Sequence, residues 1–196
     1  AEGGGAEGDA TPTEAERAAA AAAGEPQGYD VVILYDPQYT TGGFDEAFAK
    51  LLEQFVSRHG GGVCYIASNK YSEGTLVGRR KDAFAPLAKI LPVTLGTMDD
   101  LYLATLREGR RQQFPVVLTP GGRSHRLMRL LPTEQASVDL WTQKMYGVYW
   151  SHPVAAAKPG ARVLAVNTER QTERKRPEPV IAVQSYGKGR TVFVGT

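Results

Sequence analysis

"YDVVILYDP", residues 29–37, is a continuous apolar run bounded by Asp30 and by Asp36-Pro37. A run of this kind suits a strand buried on both faces, as in a parallel sheet covered by helices on either side. The next stretch, "GFDEAFAKLLEQFVSRHGGG" (43–62), places Phe44, Phe48, Leu51, Leu52, Phe55 and Val56 at the spacing of an amphipathic helix. Gly60 supplies a left-handed stop, and "GVCYIAS" (62–68) then reads as a second buried strand. Strand, helix and strand over residues 29–68 form a βαβ unit, whose crossover is expected to be right-handed.

Further along, residues 69–83 are polar, contain Gly74 and Gly78, lack helical spacing and read as a long surface loop. "FAPLAKILPVTL" (84–95) gives a short helix and then an extended piece. "TMDDLYLATLREGRR" (97–111) predicts a helix capped by Thr97, with acids at its start and arginines near its end, the signs that suit the helix dipole. "FPVVLTPGG" (114–122) reads as a short strand, and "LPTEQASVDLWTQKM" (131–145) as a helix with Val138, Trp141 and Met145 on one side. The last third changes character. Residues 161–167, 179–186 and 190–195 predict strands, with "GKG" (187–189) as a tight hairpin turn in which Gly187 and Gly189 take positive φ. The chain thus reads as parallel α/β at its start and an antiparallel meander at its end.

Composition sets outer bounds. With 196 residues and 42% apolar content, the chain can build one sizeable core. No run of 18 apolar residues occurs, so no direct membrane insertion of this segment is expected. Residues 1–28 hold six acids against Arg17, a net of −5, which leaves +7 on residues 29–196 of a chain whose total is +2. The segment reads as a flexible acidic leader with a short alanine-rich helix, in which Thr13 and Glu16 form a capping box ahead of Ala18–Ala23. Residues 29–196 read as the folded domain. The moderately basic body invites an anionic partner, but no strand interleaves aromatic with basic residues, so nucleic acid is not expected. One cysteine forms no internal disulfide, and no zinc pattern is present, so no metal is expected.

Cys64, the sole cysteine, raises the question of a nucleophile. A catalytic thiol sits on a glycine-flanked turn between strand and helix. Cys64 instead lies inside the run Val63-Cys64-Tyr65-Ile66, where it is expected to face inward as a small buried hydrophobe. Ser68 has the better position, at the strand's C-terminal end beside Asn69, without the G-x-S-x-G glycines. Asp36 closes the first strand, where carboxylates line ligand crevices in open α/β sheets and where Asp-Pro also opens turns. "PGGRSHRLMR" (120–129) repeats arginine at 123, 126 and 129 beside His125, a pattern that would line one helical face and hold an anion. The phosphate-loop and dinucleotide patterns are both absent, and no cofactor is expected. No histidine among His59, His125 and His152 is followed two residues later by an acid.

Taken together, "YDVVILYDP", "FVSRHGGGVCYIAS", "PLAKILPV", "KPGARVLAVN" and "PVIAVQSYGKGRTVFVGT" resemble the glutamine amidotransferase-like domains of large bacterial membrane proteins that also carry a von Willebrand A-type region. "YGKGR" is similar to trehalose-utilisation-type relatives. The resemblance covers residues 29–196. It implies a class I glutamine amidotransferase-like, flavodoxin-like three-layer sandwich, with parallel core strands and a C-terminal antiparallel meander. It also implies a nucleophilic cysteine just after the strand matching Val63–Ala67, where this chain has Ala67-Ser68-Asn69, and a His-x-Glu pair near the end, which is missing.

The expectation is therefore a non-catalytic module, serving interaction or ligand sensing within a larger bacterial membrane-associated protein, with other domains of that protein or an unknown protein as partner. Its pocket candidates are Asp36, Ser68, Asn69, Arg123 and His125, and no catalytic residue is assigned. The alternatives are a hydrolase or amidotransferase with a rearranged site using Ser68, Asp36 or a distant histidine, and an anion or carbohydrate sensor using Arg123 and Arg126.

Overall fold

The computed structural model describes residues 28–98 and 113–196. The leader helix expected at Thr13–Ala23 and most of the helix expected over 97–111 lie outside the described residues.

The first strand, β1, spans Val31–Tyr35. Helix α1, Glu46–Ser57, starts where the Asp45 carboxylate accepts the Phe48 amide at 3.1 Å, and it buries Ala49, Leu52 and Val56 on one side. Each of the two larger side chains contributes about 1.5–3 kcal/mol by leaving water. Gly60, at φ 79, ends the turn after the helix and leads into β2, Gly62–Ile66. Two short helices follow, α2 (Ser72–Leu76) and α3 (Ala85–Ile90), then β3 (Val93–Leu95). Helix α2 falls within the stretch expected to be loop. Its buried face comes from Ser72, Thr75 and Leu76, too few residues to show a period.

After residue 113 come β4 (Val116–Leu118), α4 (Pro120–Arg123), a 3-10 turn (Arg126–Met128) and α5 (Glu134–Asp139), which runs into a π-type turn at Leu140–Lys144. The chain ends with β5 (Val154–Ala157), β6 (Arg162–Gln171), β7 (Pro177–Tyr186) and β8 (Gly189–Val194). The segment 168–178, expected as a loop, instead extends both β6 and β7 around the turn at Thr172–Arg176.

Six strands form one mixed sheet in the order β1-β2-β8-β7-β6-β4, and β3 and β5 form a separate antiparallel pair. β1, β2 and β8 are mutually parallel, while β8-β7, β7-β6 and β6-β4 are antiparallel. The chain's last strand therefore lies beside β2 and joins its first and final thirds into one sheet. Gly187, at φ 57, makes the β7–β8 turn, while Gly189 does not take positive φ. A Cβ on Gly187 would collide with the Ser57 carbonyl, so the turn packs directly on the end of α1.

One face of the sheet is covered. Leu34, Tyr65 and Phe193 stand in register across β1, β2 and β8 and pack with Leu52, Val56, Leu87 and Ile90 of α1 and α3. Thr191 Oγ1 and Gln184 Nε2 each donate to the Ile90 carbonyl at 2.6 Å, tying the end of α3 to the sheet. On the other face, Leu118, Met128 and Ala165 pack with Val138, Trp141, Ile181 and Val183 over the β4–β6–β7 half. Over β1, β2 and β8 that face has no cover among the described residues. Val31, Ile33 and Tyr35 are 56%, 67% and 72% exposed, and Cys64, Ile66, Val192 and Val194 are half-buried.

These observations correct the expected fold. A flavodoxin-like three-layer sandwich has a parallel sheet with helices on both faces. This sheet is mixed, and among the described residues half of one face is bare and only α1 exceeds six residues. The run at 29–37 invited the wrong inference because an apolar strand does not reveal how many of its faces are covered. Val and Ile favour the extended backbone in either setting. Cys64 needs the same correction: it lies in a strand, as expected, but on the bare face, not facing the covered core.

Candidate functional site

The parallel strands β1, β2 and β8 end side by side, so their C-terminal ends bring together groups distant in sequence. Asp36 sits just after β1 at φ 37, in the left-handed region that aspartate tolerates better than most residues. Its amide donates to the Ile66 carbonyl at 2.8 Å, holding it against β2. Its carboxylate accepts three hydrogen bonds: the Ser72 amide at 2.8 Å, the Ser72 hydroxyl at 2.5 Å and the Tyr71 amide at 3.1 Å. Asp36 thus anchors the start of α2 from 36 residues away. Ser72 Oγ in turn accepts the Tyr65 hydroxyl at 3.0 Å and the Ser68 amide at 3.2 Å. Burial pushes the Tyr65 phenol well above its usual range, which keeps it a neutral donor. Asp36, Tyr65 and Ser72 are all buried and form one satisfied network.

This network is poorly suited to attack a substrate. Ser72 gives its proton to a carboxylate already accepting two amides, and both its acceptor positions are filled. Ser68 is only partly buried, and its hydroxyl donates to Asn69 Oδ1 at 3.3 Å. Burial raises the Cys64 thiol above its usual range, opposite to what an activated thiolate needs.

His152 approaches the same strand ends. Its backbone amide donates to the Gly195 carbonyl at 2.6 Å. Its Nδ1 lies 3.0 Å from the Pro153 carbonyl, which can only accept, so the proton sits on Nδ1. The ring is fully buried beside Trp150, and Nε2 has no hydrogen-bond partner. Burial lowers its pKa, with weaker opposing pulls from the Pro153 carbonyl, Glu73 and Asp36. Beyond it, buried Glu178 accepts the Val154 amide at 3.3 Å and lies 3.6 Å from Arg170 Nε. No cluster of three His, Cys, Asp or Glu side chains able to hold a metal occurs among the described residues.

Of the five sequence candidates, the structure brings three together: Asp36 reaches Ser68 through Ser72, and Asn69 accepts from Ser68. Arg123 and His125 follow β4, at the opposite edge of the sheet from β1. Five inter-strand spacings separate those edges, roughly 24 Å. The arginines at 123, 126 and 129 do not share a helical face, because the segment breaks into four-residue α4 and a 3-10 turn. Arg129 lies 3.9 Å from Glu134. Sequence reading missed Ser72, Tyr65 and Glu178 altogether. Only the tertiary fold brings Asp36 to Ser72, and no local motif marks the pairing.

No family model matches the sequence, and no curated protein matches it. Solved structures do. A cytoplasmic protein of Salmonella typhimurium, STM3548, superposes with a TM-score of 0.53 at 16% identity, over 86% of this chain and 60% of its own. A second, STM1381 from Salmonella typhimurium LT2, gives 0.47 at 18% identity over the same shares. The cold-adapted β-galactosidase from Rahnella sp. R3 gives 0.44 at 17% identity, over 86% of this chain and 20% of the enzyme. At such identities the likeness to STM3548 concerns the fold alone. This chain spans 60% of that neighbour's length. No helix among the described residues is long and apolar enough to cross a membrane.

Proposed function

We propose that this chain is a non-catalytic interaction module of a larger bacterial, membrane-associated protein, and that its working surface is the bare half-face over β1, β2 and β8. One observation carries the reading: Val31, Ile33 and Tyr35, alternating along the edge strand β1, and Tyr29, two residues ahead of it, are all more than half exposed. Their exposed area is on the order of 500 Å², the scale of the largest patch on a typical monomer and one that commonly marks an interface. The half-buried row of Cys64, Ile66, Val192 and Val194 extends the surface inward. The partner in this reading is another part of the same parent protein.

The rival reading, a hydrolase or amidotransferase with a rearranged site, has less support. Asp36 and Ser72 spend their hydrogen bonds on holding α2, and Ser68 faces an amide oxygen, not a base. Ligand sensing through Arg123 and His125 is also weakened, since they do not converge on the strand ends.

Alkylation of Cys64 in the intact parent protein tests the proposal, read by peptide mass spectrometry alongside a glutamine-hydrolysis assay. The expected result is labelling slower than in the isolated 196-residue chain by about tenfold or more, the factor that about 1.4 kcal/mol of protection gives, with no hydrolysis. Labelling at the rate of the isolated chain would overturn the interaction surface. Hydrolysis abolished by Ser68→Ala in a folded protein would overturn the non-catalytic reading.

A further inference from the structure

β1 has one neighbour in its sheet, β2, and their pairing fixes which backbone groups of β1 are left over. The Gly62 amide donates to the Asp30 carbonyl and the Asp36 amide donates to the Ile66 carbonyl, each at 2.8 Å. In a parallel ladder of this register, residues 30, 32, 34 and 36 turn their backbone groups toward β2. Val31, Ile33 and Tyr35 therefore point their amides and carbonyls out of the sheet edge, where among the described residues no strand meets them.

The same three residues carry exposed side chains on the bare half-face. The other face of the edge is apolar too. On α1, Glu53 accepts the Tyr186 hydroxyl of β7 and pairs with Lys89 of α3. At about 100° per residue, Phe48, Leu51 and Phe55 lie on the opposite flank of the helix, the one toward β1. Leu51 is exposed, and Phe48 and Phe55 are only partly buried. An open ladder thus runs between two apolar rims. Edge strands that must stay unpaired carry charge, proline or a bulge. Residues 31–35 have neither charge nor proline, and their register with β2 is unbroken.

We propose that an extended, near-continuously apolar segment of the parent protein adds to this sheet as a further strand beside β1, taking up the outward backbone groups of Val31, Ile33 and Tyr35. This rests on the reading of the half-face as a docking surface and names the form its partner takes at the edge. A docked helix could not use these groups, because its own amides and carbonyls are already bonded to each other. A strand uses all of them, and rims on both faces select the continuous apolar run of a strand covered on both sides. About five residues suffice to match β1, roughly 17 Å. A second copy of the chain is the weaker occupant. Free molecules need about 800 Å² from each partner for a stable interface, more than the order of 500 Å² that the exposed side chains at β1 offer. A segment of the same polypeptide is held at an effective concentration of about millimolar, so a small interface is enough.

Amide hydrogen exchange resolved to single residues tests the inference in the 196-residue chain and in the intact parent protein. In the chain alone, the Val31, Ile33 and Tyr35 amides are expected to exchange about tenfold or more faster than those of Val32 and Leu34, which bond to β2. In the parent all five are expected to be slow. Ile33→Pro removes only an outward amide, which an edge strand tolerates, so the chain alone should keep the wild-type urea midpoint. In the parent the same change should speed exchange at Val31 and Tyr35 by about tenfold or more. Val32→Pro removes an inward donor and should lower the midpoint of the chain alone.

Fast exchange at Val31, Ile33 and Tyr35 in the parent would overturn the inference, as would an Ile33→Pro chain that unfolds as easily as Val32→Pro. Protection that appears in the chain alone and rises with its concentration would assign the edge to a second copy and overturn it too. Fast exchange at the edge with Cys64 still slowly alkylated in the parent would overturn this inference alone. Fast exchange together with Cys64 alkylated at the rate of the isolated chain would overturn the docking surface as well.

Discussion

Replacing Asp36 with alanine removes the acceptor for three hydrogen bonds at once, and the structure separates the contributions. The Ser72 amide and hydroxyl lose their partner in a fully buried setting, while the Tyr71 amide is only partly buried and can turn to water. A hydrogen bond to a charged group is worth about 1.5–3 kcal/mol, and an orphaned buried donor costs a similar amount. The three share one acceptor and are not additive, so they come to about 4 kcal/mol. Asp36 also holds φ 37, and alanine in that region costs about 1 kcal/mol more. An asparagine side chain at this position would tolerate the backbone and keep one carbonyl oxygen, so Asp36→Asn is expected to lose about 2 kcal/mol. Glycine would relieve the backbone without restoring the acceptor, so Asp36→Gly should fall about 1 kcal/mol short of the loss in Asp36→Ala. Urea unfolding of the 196-residue chain, followed by circular dichroism and tryptophan fluorescence, reads all three. Against a total stability of about 5–15 kcal/mol, the alanine variant should be visibly marginal. If Asp36→Ala stays within about 1 kcal/mol of wild type, well inside the loss expected for these bonds, the carboxylate is not holding α2. It would then be free for a ligand, and the case against a strand-end reaction centre would collapse.

Other expectations follow from single contacts. Gly122→Ala would drive a Cβ into the Leu164 carbonyl and should cost about 3 kcal/mol or more. Gly74→Ala, with nothing within 4 Å inside α2, should instead stabilise by roughly 0.5–1 kcal/mol, both read by thermal unfolding. Thr191→Val should lose about 1 kcal/mol, because Gln184 still satisfies the Ile90 carbonyl, and adding Gln184→Ala should cost more than the two single losses combined. Burial raises the Glu178 carboxyl above its usual 4.5, against a weaker opposing pull from Arg170, so between the unfolded and folded pKa values the folded state binds more proton than the unfolded state. Stability from this group is then fullest below pH 4.5 and falls as pH climbs through the folded pKa, by up to about 1.4 kcal/mol per pH unit. Glu178→Gln should remove that slope in urea titrations from about pH 4 to about pH 8, and an unchanged slope would assign it elsewhere.

Most strands and the long helix were readable from local pattern, because both faces of the problem are written in adjacent residues; β5 at Val154–Ala157 was not among them. The stripe of Phe44, Phe48, Leu52 and Val56 could only be a helix, and Gly60 marked its end. Where β8 would go was not readable in that way. "RTVFVG" pairs as well with a parallel neighbour as with an antiparallel one, and only the assembled sheet places it between β2 and β7. The extension of β6 and β7 through residues 168–178 was hidden by charge, since Arg170 and Glu178 look like loop residues until they are found facing each other. The strand-end candidates were partly legible because strand ends in parallel sheets converge, which pointed to Asp36, Ser68 and Asn69. The role of those residues was not legible, because Ser72 lies in a stretch with no periodicity and its bond to Asp36 spans 36 positions. Arg123 and His125 lie apart from the strand ends for a related reason: a threefold repeat has meaning only on a continuous helix, and this segment is too broken to be one.

The apolar character of the bare half-face is not a by-product of the core. Along a strand the side chains alternate between faces, so the covered core selects Val32 and Leu34 and leaves residues 31, 33 and 35 unconstrained. An edge strand whose outer face met only water would be expected to carry charge or threonine there, since a long apolar edge invites aggregation. This one carries Val, Ile and Tyr. Val31→Thr/Ile33→Lys/Tyr35→Thr should therefore leave the stability of the chain within about 1 kcal/mol, as surface substitutions do. Leu34→Thr, one residue away on the covered face, should lose about 2–4 kcal/mol. The same triple variant should speed Cys64 alkylation in any context where the half-face is occupied. A triple variant that unfolds as easily as Leu34→Thr would mean that these side chains belong to the domain's own core, and no surface would be left for a partner.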